Sequence, residues 1–255
     1  QRDSIKQRDI EQVVLIGYGA KKKSDLTGSI TALSEKDFNK GAITSAEGLL
    51  NGRTSGVVVT QSGTPGNDAV IRVRGGSSLL SSNDPLIVID GLPVEGGLSS
   101  INPNDIESFS ILKDASSTAI YGNRGSNGVI LITTKKGSKK KLQVSFNSFT
   151  TYNTLAKNVD VYNGDQFREI INTMAPDKAN LLGTANTNWQ DLIFRNTASF
   201  DSNLSLMGNL FDKIPSRLSI GHTENEGLLL TSNYKRSTAS FTLNPTLFDN
   251  HLKYS

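Results

Sequence analysis

The chain has 255 residues, no cysteine and a net charge of +3, which excludes a disulfide framework, a thiolate metal site and a charge excess that would draw nucleic acid. Only 36% of residues are hydrophobic and 7% aromatic against 23 glycines, a balance that suits a turn-rich β protein. No run of about 18 apolar residues offers a membrane-spanning helix, and the absence of an initiator methionine and of a leader-like stretch points to a processed or clipped N-terminus.

Residues 1–12 are polar and aperiodic, which predicts a flexible arm extending to residue 24. Within it Val13, Val14, Leu15 and Ile16 form a β-prone run with nothing of its own to bury against. Two readings stand: an ordinary first strand, or an exposed strand that pairs with a partner by β-augmentation. A phosphate-binding loop is a poor third, because Lys22 stands where a GxGxxG pattern begun at Gly17 needs its last glycine.

A mixed α+β domain is expected over 25–138. Ser34 opens a short helix that Gly41 closes, and Thr44-Ser45-Ala46-Glu47 forms a capping box for a helix over 46–51. Residues 57–60 and 69–74 read as strands joined by the turn Ser62-Gly63-Thr64-Pro65-Gly66. Arg72 and Arg74 alternate with Ile71 and Val73, so both guanidiniums share one face, solvated unless each is paired.

The core of this domain falls in 83–137. The apolar run 86–89 ends at Asp90-Gly91, which tolerates positive φ and reverses the strand. Asn102 caps a turn with Pro103 at its first position, just ahead of the apolar run 109–112. Asp114 caps a helix over 115–121 that Gly122 stops. After GNRGSNG, the β-branched run 129–134 is a strand buried on both faces. Asp90, Asp105 and Asp114 are accounted for by turn and cap positions. His222 and His251 lie in alternating strands, and no GxSxG, HExxH or P-loop is present, so an enzyme is not expected.

Past the lysines at 139–141 the pattern changes to period 2. Segments 142–152, 200–210, 214–223 and 237–244 alternate, and Leu252 and Tyr254 begin another. Alternation over five segments means antiparallel strands with one apolar and one wet face. A soluble sandwich and a transmembrane barrel share that signature. The connections favour the barrel, because the long insert 153–198 and medium loop 224–236 alternate with the short turns 209–213 and 245–250. Phe167, Ile170, Ile171 and Met174 place an amphipathic helix in the insert, expected to pack over the barrel rim or the neighbouring domain.

The segments VVLIGYGAKKK, LLNGRTSGVVVTQSGTPG, IRVRGGSS, NDPLIVIDGLP, INPNDIESFSILKDASSTAIYGNRGSNGVILITTKKG and NTNWQDLIF together resemble the SusC/RagA family of TonB-dependent outer-membrane transporters, from about Val13 onward. The resemblance implies an α+β plug domain followed by the antiparallel β-strands of an incomplete transmembrane β-barrel. A full barrel of about 22 strands, at roughly 10 residues each, needs about 220 residues before any loop, so the chain is expected to be the N-terminal part of a longer protein. Implied partners are TonB, a SusD-like surface lipoprotein, outer-membrane lipid and a glycan, oligosaccharide or peptide imported in Bacteroidetes-type bacteria, with no cofactor.

By the same resemblance Ile10, Glu11, Gln12, Val13, Val14, Leu15 and Ile16 form a TonB box facing the periplasm. Arg74, Lys113 and Arg124 are candidate plug cations that lock onto acids of the barrel wall. Val144, Phe146, Leu204, Leu206, Leu218, Ile220, Phe241 and Leu243 then face lipid, and Asn147, Asn203, Ser205, Arg217, Ser219, Ser240 and Thr242 face the plug. A soluble α+β binding module is the alternative.

Overall fold

A computed structural model describes residues 13–16, 19–22, 30–41, 43–75, 82–114, 118–138, 141–211, 214–247 and 252–253. Ile10, Glu11, Gln12, residues 115–117, Asp212, residues 248–250 and Tyr254, all part of the expectations above, lie outside them. Strand β1 (Val13–Ile16) pairs antiparallel with β2 (Gly19–Lys22) as a two-stranded ribbon.

The mixed domain is built on a five-stranded sheet in the order β3 (Ile30–Ser34), β8 (Ile106–Leu112), β9 (Val129–Thr134), β6 (Leu86–Ile89), β7 (Leu92–Val94). Only β6 and β9 run parallel. Leu33, Ile87, Ile106, Phe109, Ile111, Ile130 and Ile132 cover one face and meet helix α1 (Ala46–Leu50) and the hairpin β4 (Val57–Thr60) and β5 (Val70–Val73). Leu86, Val88, Leu112, Val129 and Leu131 cover the other. Burial on both faces is why 129–132 reads as an unbroken apolar run. Asp90 (φ 47) and Gly91 (φ 89) make the left-handed turn between β6 and β7. The Asp90 carboxylate also accepts from the Thr134 N–H and hydroxyl, pinning the end of β9.

Three local expectations are corrected. Residues 34–41 form no helix: β3 pairs with β8, and Asp37 accepts from the Ser34 N–H and hydroxyl to close a turn. Those two hydrogen bonds hold the Asp37 carboxyl below its ordinary range. Helix α1 is capped by Ser45, which accepts from the Gly48 N–H, and no reciprocal box forms because glycine occupies the third helical position. From Ala119 to Gly125 the chain forms two merged 3-10 turns rather than α-helix, while the expected start and stop hold: the N–H of helical Thr118 donates to the Asp114 carbonyl, and Gly122 at φ 59 interrupts the turns.

The second half is a four-stranded antiparallel sheet, β10 (Gln143–Asn153), β11 (Thr197–Leu210), β12 (Ile214–Glu226) and β13 (Asn233–Leu243). The short strands β14 (Thr246–Leu247) and β15 (Leu252–Lys253) pair beyond it. Its register stacks Phe146, Leu204, Ile220 and Ala239 across one face and Ser145, Ser205, Ser219 and Ser240 across the other. Burial is inverted relative to a water-soluble sandwich: Phe146 is 66% and Phe241 60% exposed, while Arg217 is 3% and Ser219 1% exposed. The apolar face looks outward and the polar face looks at the mixed domain, so the sheet is a piece of barrel wall and the sandwich reading falls. The sheet is open, with no closed barrel among the described residues.

Helix α2 (Gly164–Met174) stands in the insert, with Asn163 and Gln166 forming a reciprocal capping box. The expected packing is not found: no residue of α2 is buried, and Phe167 and Met174 are exposed. Helix α3 (Trp189–Ile193) precedes β11.

Candidate functional site: the seat of the mixed domain on the wall

The segment 97–105 lies against β12 and β13. Asn102 caps the turn Pro103–Asp105 by accepting from the Asn104 N–H, and proline supplies a fixed φ where no donor is needed. That turn aims the Asp105 carboxylate at the wall. Oδ1 accepts from Arg217 Nη2 at 2.8 Å and from the Ser219 hydroxyl at 2.6 Å, and Oδ2 accepts from the Ser240 hydroxyl at 3.0 Å. Asp105 and Arg217 are both buried, so the charges are neutralised by each other and by the two hydroxyls. Asn102 Nδ2 donates to the Thr238 hydroxyl at 3.2 Å. Gly221 makes this approach possible, since a Cβ there would lie 2.3 Å from Asn102 Nδ2.

A second wall arginine reads backbone. Arg236 Nη1 donates to the carbonyls of Ser99 at 2.6 Å and Ile101 at 3.0 Å, and Nη2 to the carbonyl of Thr44 at 3.0 Å. The Tyr234 hydroxyl adds a bond to the Ser99 carbonyl at 3.0 Å. From the other side Asp68 Oδ1 accepts from the Ser99 N–H at 3.0 Å. Buried Glu47 lies in the same corner. Burial pushes its carboxyl above the ordinary glutamate range and the Asp68 charge adds to this, against hydrogen bonds from the backbone and Ser45.

The two ends of the contact differ. At the end of the short strand connections, Gly137 N–H donates to Asn244 Oδ1 at 2.9 Å and Ser138 bridges Ser216. At the end of the long ones, the β4–β5 loop lines a cavity of about 530 Å³ with Asn153 and Asn225 of the wall. Among the described residues no group of three His, Asp or Glu could hold a metal ion, and no helix is long and apolar enough to cross a membrane.

The family model of the TonB-dependent receptor plug domain matches residues 22–129. TonB-dependent receptor SusC of Bacteroides thetaiotaomicron is 48% identical over 96% of this chain and 26% of its own length. TonB-dependent receptor P3 of Formosa agariphila is 37% identical over 92% of this chain and 23% of its own. The structure of the RagAB peptide transporter superposes with a TM-score of 0.74 at 25% identity, covering 87% of this chain and 29% of that one. The chain belongs to the SusC/RagA family of TonB-dependent receptors. Unliganded FecA, a ferric citrate transporter, shares the fold at a TM-score of 0.59 and 15% identity, over 87% of this chain and 29% of that one. The chain spans about a quarter of the length of these curated relatives.

The mixed domain is thus the plug; on the described wall strands it is seated through Asp105, Asn102 and Ser99, while Arg74, Lys113 and Arg124 bond within the plug. Arg74 (φ 58) pairs with Asp114 of the plug at 2.6 Å. Lys113 donates to the Ser55 carbonyl, and desolvation followed by the Arg74 charge holds its ammonium below the ordinary lysine range, against the pull of Asp114. Arg124 pairs with Glu95 of the plug at 3.2 Å. On the described wall the polarity is the reverse of that expected for a lock: the plug brings the carboxylate, Asp105, and the wall brings the arginines, 217 and 236.

Proposed function

We propose that the chain is the N-terminal portion of a TonB-dependent outer-membrane transporter that imports glycans, oligosaccharides or peptides, with the plug gating the barrel lumen. The observation that carries this reading is the inverted burial of β11–β13, apolar toward the surroundings and polar toward the plug. A soluble module would place Val144, Phe146, Ile220 and Phe241 inside, whereas here all four are exposed. Residues 1–24 serve as the arm, 25–138 as the plug and 139–255 as the first wall strands. The name of the RagAB relative as a peptide transporter supports peptides within the cargo range, and membership of the SusC/RagA family supports pairing with a SusD-like lipoprotein.

In this reading residues 10–16 are the segment TonB grips. Val14 pairs with Lys21 within the β1–β2 ribbon, so TonB exchanges for an existing backbone partner. Arg74 and Arg124, each more than half exposed, and Lys113 beside them remain candidates for a lock with later wall strands. The long connections face outward and the short turns face the periplasm.

Val14→Pro in the full-length receptor tests the reading, since proline removes a backbone donor. The variant assembles in the outer membrane at the wild-type level and loses uptake. Normal uptake by it, or recovery of the wild-type protein in the soluble fraction without detergent, overturns the assignment. Cysteine labelling of intact cells tests orientation: residues in 154–196 and 227–232 react, and strong labelling near residue 212 or 250 inverts the scheme.

A further inference from the structure

We propose that Asp68 is the positioning residue that ties the outer loop of the plug, residues 61–67, to the wall-seated segment 97–105, so that a load on the loop passes into that segment. The proposal rests on the transporter reading only for the origin of the load.

The loop is in contact with the barrel at its tip. Gly66 has φ 82, and a Cβ there would lie 2.4 Å from Cδ2 of Tyr234; one at Gly227 would lie 2.9 Å from Cδ of Pro65. At the base of the loop, the Asp68 carboxylate lies over the backbone of Gly97, where a Cβ would sit 1.9 Å from its Cγ. Glycine at 97 is therefore needed for space, since its φ of −84 is ordinary. In that position Asp68 takes the Ser99 N–H. The Ser99 carbonyl is taken by Tyr234 and Arg236 of the wall.

Gly66, Asp68, Ser99 and Tyr234 therefore close a ring of contacts in which Tyr234 packs on the loop with its ring and holds the seated segment with its hydroxyl. A closed ring cannot deform at one member alone. A charge-assisted bond to a backbone N–H is its strongest plug-internal link, and Asp68 supplies it. Downstream, the carbonyl of Asp105 accepts from Lys135 N–H at 2.8 Å, immediately after β9, so the ring is connected to the central strand of the plug.

Hydrogen–deuterium exchange on the full-length receptor in detergent tests the linkage without requiring transport. In Asp68→Ala, amides of 61–67 and of 97–101 exchange faster together, by about tenfold or more, while β10 and β11 are unchanged. Asp68→Asn keeps an acceptor oxygen and returns both regions to within about threefold of wild type, whereas Asp68→Leu, which keeps bulk and loses the acceptor, leaves both accelerated; a merely space-filling role would let Leu rescue as well as Asn. Gly97→Ala displaces the carboxylate without removing it and reproduces the paired acceleration, so the proposal stays decidable if Asp68→Ala fails to assemble. Acceleration confined to one of the two regions, or absent from both, overturns it. A wild-type receptor that shows no TonB-dependent uptake removes the transport reading and leaves these exchange results standing.

Discussion

Arg217 of the barrel wall meets Asp105 of the plug at 2.8 Å, with both side chains buried and Ser219 and Ser240 completing the carboxylate's partners. Arg217 is inward because β12 alternates, and Asp105 is aimed at it because Asn102 and Pro103 fix the preceding turn.

Breaking this pair from one side strands a charge in a poorly solvated place. Asp105→Ala or Arg217→Met is expected to weaken plug retention by about 3–5 kcal/mol, and the double replacement by clearly less than the sum. Release of the plug to protease across a urea series, read as a double-mutant cycle, measures the coupling; additivity would remove the pair from the account of how the plug is held.

Glu47 gives the plug a pH-dependent stability of known sign. Its folded carboxyl titrates above the ordinary range because burial disfavours the charge. The stabilising protonated state is fully present below the ordinary glutamate value of about 4.3 and is lost as pH rises through the raised folded value. Glu47→Gln should therefore raise the plug's unfolding temperature at neutral pH and flatten its decline as pH rises above the ordinary glutamate value. An unchanged pH profile in the variant would assign the dependence to another group.

Leu218 and Arg217 are neighbours on opposite faces of β12. Arginine placed at 218 is expected to cost about 2–4 kcal/mol near the bilayer midplane, while Arg217 is accommodated against the plug. Urea unfolding of the full-length receptor in lipid vesicles measures this, and an indifferent Leu218→Arg variant would show that this face does not meet lipid.

Gly221 is the flat spot on which Asn102 rests. Gly221→Val should dislodge the plug segment and speed exchange of the 101–105 amides, and Asn102→Gly in the same protein should recover part of the loss by making room.

Much of the fold was legible because its signals are local or periodic. Alternation placed every long wall strand, and Asp90-Gly91 and Asn102-Pro103 marked turns whose backbone demands few other residues meet. Helix signals at Ser34 to Gly41 failed because Ser34 ends strand β3 and Asp37 bonds back to it, closing a turn instead of a helix. The seat itself was hidden for a different reason. Asp105 looked fully explained by its turn, and its partner Arg217 lies 112 positions away in a strand where an inward arginine reads as one more wet-face residue. Arg74, Lys113 and Arg124 drew notice through conspicuous motifs, yet nothing in a linear pattern tells whether a cation finds its acid within its own domain.

The contacts through Asp105, Asn102 and Ser99 join the plug to strands that follow it in the same stretch of chain. The stopper and the nearest staves of its enclosure are therefore neighbours both in space and along the chain, and a single continuous stretch of polypeptide carries the two sides of the joint.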